Sequence, residues 1–198
     1  MALKTFVLIS SVNNLSDARY CAGMDVDLIG FNMEKESDQY ISPETYAELT
    51  EWLSGVEFVG EFDSYDQENI ISAIDAYKAE YIEVKDPAKV AALKSAGKKV
   101  ILRQNIDSVT IDPNATYLVL EGGSEELSET HLNMIKDLAT KHKVLIGFGI
   151  NDNNVEELIE KTGAHGIALR GGEEIKPGYK DYDELADILE ALEIDDLA

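Results

Sequence analysis

Short, almost unbroken apolar runs alternate along this chain with longer stretches whose apolar residues recur every three or four positions. The runs at 5–10, 27–31, 56–62, 80–84, 99–103, 116–120, 143–148 and 166–169 predict eight strands. Near-continuous hydrophobicity is the mark of strands covered on both faces, as in a parallel sheet under helices. The longer stretches predict helices at 42–53, 66–78, 86–96, 124–141, 151–162 and 181–192, and a short helix lies between the first two strands. Ser42, Pro43 and Glu44 open the second helix with a capping hydroxyl, a helix-compatible proline and an early acid. Between Arg103 and Thr116 there is little helical pattern and one proline, Pro113, so a degenerate or missing fifth helix is expected. Strand-helix alternation means βαβ units and a parallel sheet. A doubly wound open sheet and a closed barrel both satisfy it. Eight strands at a repeat of about 25 residues favour the barrel. The expected fold is α/β, a compact single-domain (β/α)8 TIM barrel over residues 1–198, with no linker or low-complexity tract to divide it.

Composition narrows the possible partners. The chain has 198 residues, 44% of them hydrophobic, enough for one good core. Its net charge is -22, from 39 acidic against 17 basic residues. Nucleic acid and anionic membrane surfaces both need a basic face, and none is offered. The acid excess itself reads as solubility. No apolar run approaches the length of a membrane span, and the N-terminus enters a strand-like run without the segments of a signal peptide. The single cysteine, Cys21, excludes an internal disulfide and suits a reducing compartment, so a cytoplasmic protein is expected. Cys21 and Trp52 read as packing residues on helices, and no metal or cofactor motif is expected.

In this fold catalytic groups stand at the C-terminal ends of strands and on the loops that follow. Those positions hold Ser10, Asn13, Glu61, Glu83, Lys85, Arg103, Glu121, Arg170 and the glycines Gly147, Gly149, Gly171 and Gly172. Residues at i and i+2 share a strand face, which groups Leu8 with Ser10 and Val119 with Glu121. Glycines after the seventh and eighth strands let backbone N–H groups approach an anion, so Gly147, Gly149, Gly171 and Gly172, with Arg170, form a candidate phosphate site. The same glycines also serve tight turns. Glu61, Glu83, Arg103, Glu121 and Arg170 admit two readings, a remodelled active site or a self-neutralising network filling the barrel mouth.

The stretch at 8–31, LISSVNNLSDARYCAGMDVDLIGF, resembles the opening of the phosphoribosylanthranilate isomerase family of tryptophan biosynthesis. Asn14, Asp17, Ala18, Gly30 and Phe31 match its strand-turn-helix-strand pattern. Gly149, Asn154 and Val155 resemble its seventh unit, and Gly166, Gly172, Glu174, Pro177, Gly178, Lys180 and Asp181 its end. The resemblance implies the barrel fold and an Amadori rearrangement of a phosphoribosyl amine. It places Glu121 at the general-acid position and Ser10 where the family has its catalytic cysteine, after a strand end of Lys-Ile-Cys-Gly type. Gln39 stands at the position of the family's substrate-gripping arginine. Glu83 and Lys85 replace a glutamine and histidine after the fourth strand, and with Arg103 complete the expected substrate-binding set. The expected partner is a small phosphorylated or anionic metabolite, bound by a monomer or homodimer. Three functions remain open: an isomerase of this class, a barrel without catalysis that binds or supports, and a different reaction on an anionic phosphorylated metabolite.

Overall fold

The computed structural model describes residues 2–123, 127–171, 174–176, 179–180 and 183–194. Eight parallel strands close into a barrel in sequence order, β1 (Phe6–Ser10), β2 (Leu28–Asn32), β3 (Glu57–Glu61), β4 (Tyr81–Val84), β5 (Lys99–Asn105), β6 (Tyr117–Glu121), β7 (Val144–Ile146) and β8 (Gly166–Arg170). β8 returns to β1 along five registered pairs, from Phe6 with Gly166 to Ser10 with Arg170. Helices α1 (Leu15–Gly23), α2 (Pro43–Glu51), α3 (Gln67–Tyr77), α4 (Val90–Ser95), α5 (Glu129–Ala139), α6 (Val155–Thr162) and α7 (Asp183–Ala191) follow strands 1 to 4 and 6 to 8. Only the three-residue 3-10 turn Ile106–Ser108 follows β5, as the missing periodicity foretold. A hairpin of β9 (Glu174–Lys176) and β10 (Tyr179–Lys180) lies between β8 and α7 and has no counterpart in the sequence reading.

Local chemistry starts the helices. The side chains of Asn14, Ser42, Asp66 and Ser128 each accept a backbone N–H three residues on, covering a donor that the first turn leaves without a partner. Several helices are shorter than their apolar spacing suggested. The stretch at 86–96 divides into a 3-10 turn, Pro87–Lys89, and α4, because Pro87 and the Asp86 cap favour a tight first turn. The stretch at 151–162 is helical only from Val155, since Asn151 and Asn154 bond local backbone amides instead. The expected starts at 124 and 181 lie outside the described residues.

Two cores result from strand alternation. Outward residues of the barrel pack under the helices with Cys21, Ile29, Phe31, Ile82, Leu102 and Ile146 among the most buried. Inward residues form a separate cluster of Leu8, Leu28, Val59, Tyr81, Ile101, Tyr117, Val119, Leu145 and Ala168. Gly166 lets β8 approach β1: a Cβ there would stand 2.0 Å from the Phe6 carbonyl oxygen. The barrel's N-terminal end carries aromatic packing of Phe6 on Tyr117 at 4.8 Å, with Lys99 over the Tyr81 ring. Trp52 is not a packing residue. It ends α2 with 66% of its surface exposed, its ring facing the Arg19 guanidinium. Among the described residues no helix is long and apolar enough to cross a membrane.

Candidate active site

One step further along each strand, the inward positions turn from apolar to polar. Leu8 is followed by Ser10, Leu28 by Gly30 and Asn32, Val59 by Glu61, Tyr81 by Glu83, Ile101 by Arg103, and Val119 by Glu121. Of these, Ser10, Asn32, Glu61, Glu83 and Arg103 line a cavity of about 230 Å³ at the C-terminal ends of the strands, with Ser11, Ser37, Gln39, Phe62, Asp63, Lys85 and Arg170 around it.

Arg103 is the centre of the mouth. It is 4% exposed. Its Nε and Nη2 donate to the two oxygens of Glu83 at 2.7 and 2.8 Å, its Nη1 to Glu121 at 2.9 Å, and Nη2 also to Ser10 Oγ at 2.6 Å. A forked pair of this kind is the strong form of an ion pair. Burial alone would weaken the Arg103 charge, but Glu83, Glu121 and Glu61 outweigh it and keep the guanidinium charged. Arg170, mostly exposed, donates to the same Glu121 oxygen at 2.8 Å. Burial would raise the Glu121 carboxyl, yet the two arginines overcome it and hold it below the usual range. The two arginines thus favour the carboxylate form of Glu121. Ser10 accepts from a permanent donor, and an arginine cannot take its proton, so nothing there makes its hydroxyl a base.

Glu61 differs. It is 7% exposed and accepts from the Ser11 N–H at 2.8 Å and the Ser11 hydroxyl at 3.1 Å. Glu83 is its register neighbour on β4. Burial, then the Glu83 charge, push the Glu61 carboxyl up to about 7, against the opposing pull of Arg103 and the Ser11 bonds. Ser11 has a φ of +58°, a left-handed conformation that a non-glycine residue adopts at a cost of about 1 kcal/mol. Gly30 makes the room, because a Cβ there would fall 2.0 Å from Glu61 Oε1.

The remaining expected residues divide. Gln39 accepts from Asn13 Nδ2 at 2.6 Å at the rim, and Lys85 pairs with Asp63 at 2.7 Å where both are half exposed. The N–H groups of Gly147 and Gly171 do not face an anion: they donate to the Leu120 and Ser10 carbonyls at 2.8 Å, since both residues still belong to the barrel's hydrogen-bond ladder. Gly149 has a φ of +65° and its carbonyl accepts from Asn154, while Gly172 lies outside the described residues. Of the charged network foreseen for the mouth, Glu83, Arg103, Glu121 and Arg170 do join, and Glu61 bonds to Ser11 instead.

Ser11, Asn32 and Glu34 were not among the residues expected from sequence. The Leu28, Gly30, Asn32 alternation could have found the second. Glu34 accepts the N–H groups of Asp63, Ser64 and Tyr65 at 2.9, 2.7 and 2.7 Å and so ties the loop after β3 to the loop after β2. No local signal announces it, because its partners are about 30 residues away.

A family model described as N-(5'phosphoribosyl)anthranilate (PRA) isomerase matches residues 8–191. The chain belongs to the PRA isomerase family. The N-(5'-phosphoribosyl)anthranilate isomerase of Aquifex aeolicus (strain VF5) is 26% identical over 195 residues, spanning 92% of this chain and 96% of that one. The solved structure of phosphoribosyl anthranilate isomerase from Thermus thermophilus superposes with a TM-score of 0.76 at 24% identity, covering 94% of this chain and 98% of that chain. A second structure, of phosphoribosyl anthranilate isomerase in complex with reduced 1-(o-carboxyphenylamino)-1-deoxyribulose 5-phosphate, gives 0.73 at 20% identity over 95% and 98%. The PRA isomerase match includes the stretch at 8–31 and runs on into α7.

Proposed function

We propose that the chain isomerises a phosphoribosyl amine of the PRA isomerase class at the C-terminal mouth of its barrel, without metal or cofactor. The observation that carries the reading is the match to that family along residues 8–191, which brings the whole barrel and its mouth into one frame. The substrate is a small phosphorylated metabolite, and the setting is a cytoplasmic monomer or homodimer. Gly149 and Arg170 stand on the side of the mouth where barrels of this type receive a phosphate. Gln39, Lys85 and Arg103 face the rest of the substrate. The reaction needs a proton placed on the sugar ring oxygen to open it and a proton removed from C2, so the chain must supply an acid and a base.

The test is turnover of N-(5'-phosphoribosyl)anthranilate by the full chain, followed as loss of its fluorescence, with rescue of a tryptophan auxotroph as the cellular readout. Turnover in the range of about 1 to 1,000 per second is expected. One observation favours a second reading: Arg103, the most buried cation of the mouth, is already saturated by the chain's own Glu83 and Glu121. A chain with no turnover on this substrate is a barrel closed by its own charges, with a binding or supporting role.

A further inference from the structure

We infer that Glu61 is the proton-transfer residue of this barrel, the base that takes the C2 proton in place of the residue at position 10. The inference rests on the proposed isomerisation. Three independent pieces of geometry converge on the Glu61 carboxylate. It ends β3 facing into the cavity at the level of Ser10 and Arg103. It alone of the three inward glutamates is left out of the arginine pairing: Glu83 and Glu121 bind Arg103, and Glu61 binds only Ser11 among the described partners. The fold also makes two concessions at it. Ser11 holds a left-handed backbone that turns its N–H and hydroxyl onto the carboxylate, and Gly30 gives up a side chain whose first carbon would overlap it. Backbone strain of this kind persists only where the surroundings over-determine it.

The step balances without any oxidant. In the ring-opened iminium form of the substrate, the Glu61 carboxylate takes the C2 proton. The C2–H electron pair becomes the C1–C2 double bond, and the C1–N π pair returns to nitrogen. The resulting enolamine ketonises, gaining a proton at C1 and losing the proton of its C2 hydroxyl, so the product is an isomer of the substrate. A carboxyl poised near neutrality suits both halves of that transfer, since it takes and returns a proton with little penalty. The charged and polar groups that face Glu61 are Glu83 from β4, Arg103 from β5, Arg170 from β8, Asn32 from β2, Ser11 after β1, and Asp63 and Lys85 on the loops. Of these, Glu83 and Arg103 act on its charge most, in opposite directions.

The experiment is the pH profile of kcat/KM for N-(5'-phosphoribosyl)anthranilate, measured on the full chain and its variants from about pH 5 to about pH 9. Wild-type activity rises through about 7 as Glu61 ionises. Glu61→Gln lowers kcat by at least about 100-fold with KM changed less than about threefold, and formate restores part of the rate to Glu61→Ala. Ser11→Gly keeps the backbone turn but removes the hydroxyl bond, and moves the rising limb to higher pH. This variant reads out the role even where Glu61→Gln folds poorly. Full kcat in Glu61→Gln, or a rising limb unmoved in Ser11→Gly, overturns the role of Glu61 and leaves the isomerisation standing. A wild-type chain without turnover at any pH overturns the isomerisation, and the role of Glu61 with it.

Discussion

At the scale of single residues, the mouth is decided by which carboxylates share the one buried guanidinium. Arg103 neutralises Glu83 and shares Glu121 with Arg170, so removing it leaves the buried Glu83 carboxylate without its counter-charge. Arg103→Met should therefore destabilise the fold by about 3–5 kcal/mol. Thermal or denaturant unfolding measures it, and a change under about 1 kcal/mol would show that the pair contributes little. Sequence spacing grouped Leu8 with Ser10 and Val119 with Glu121 on shared strand faces, because the two-residue strand period is a local property. It did not show that Ser10 would accept from Arg103, or that Glu121 would be held ionised by two arginines. Those facts depend on side chains 93 and 49 residues apart in sequence.

At the scale of elements, the strands were legible and the helix starts less so. Eight apolar runs became eight strands, since burial on both faces leaves a continuous apolar signature. The stretches at 86–96 and 151–162 carried helical spacing but begin with Asp86-Pro87 and Asn151, whose side chains bond nearby amides and delay the helix. Gly166 shows how the strands meet. A Cβ there collides with the Phe6 backbone, which cannot rotate away, so Gly166→Ala should loosen the β8–β1 seam and cost about 3 kcal/mol or more. Gly23, at the end of α1, has open space around its Cα, and Gly23→Ala should be neutral or stabilising by up to about 1 kcal/mol. Comparing the two variants by denaturant midpoint separates closure of the barrel from the general effect of losing a glycine. Equal midpoints would sink the seam argument.

At the scale of the whole molecule, a closed barrel carries a net charge of -22. Like charges on one compact body repel, and salt screens them over a distance that falls from about 30 Å at 0.01 M to about 3 Å at 1 M. The melting temperature should rise by several degrees, about 3–6 °C, on adding neutral salt over that range. The exposed pairs such as Lys161–Glu157 and Lys85–Asp63 are too weak to reverse the trend. A melting temperature that falls with salt would mean that attractive pairs dominate instead. The order of strands and helices, the degenerate fifth unit and the polar character of the mouth were all written in local patterns, and local patterns can be read without folding the chain. The chain's placement in its family was carried by such patterns too, chiefly the turn and helix after β1. Tertiary structure alone decided the rest. Barrel closure sets the stagger between neighbouring strands, and that stagger puts Arg103, whose register partner is Val119, within reach of both Glu83 and Glu121 and leaves Glu61 to Ser11. It also turns Gly147 and Gly171 into ladder donors, where their position in the chain suggested an anion cradle. The physical reason is that a strand's own sequence fixes which face a side chain takes, while its height relative to other strands is a property of the closed sheet.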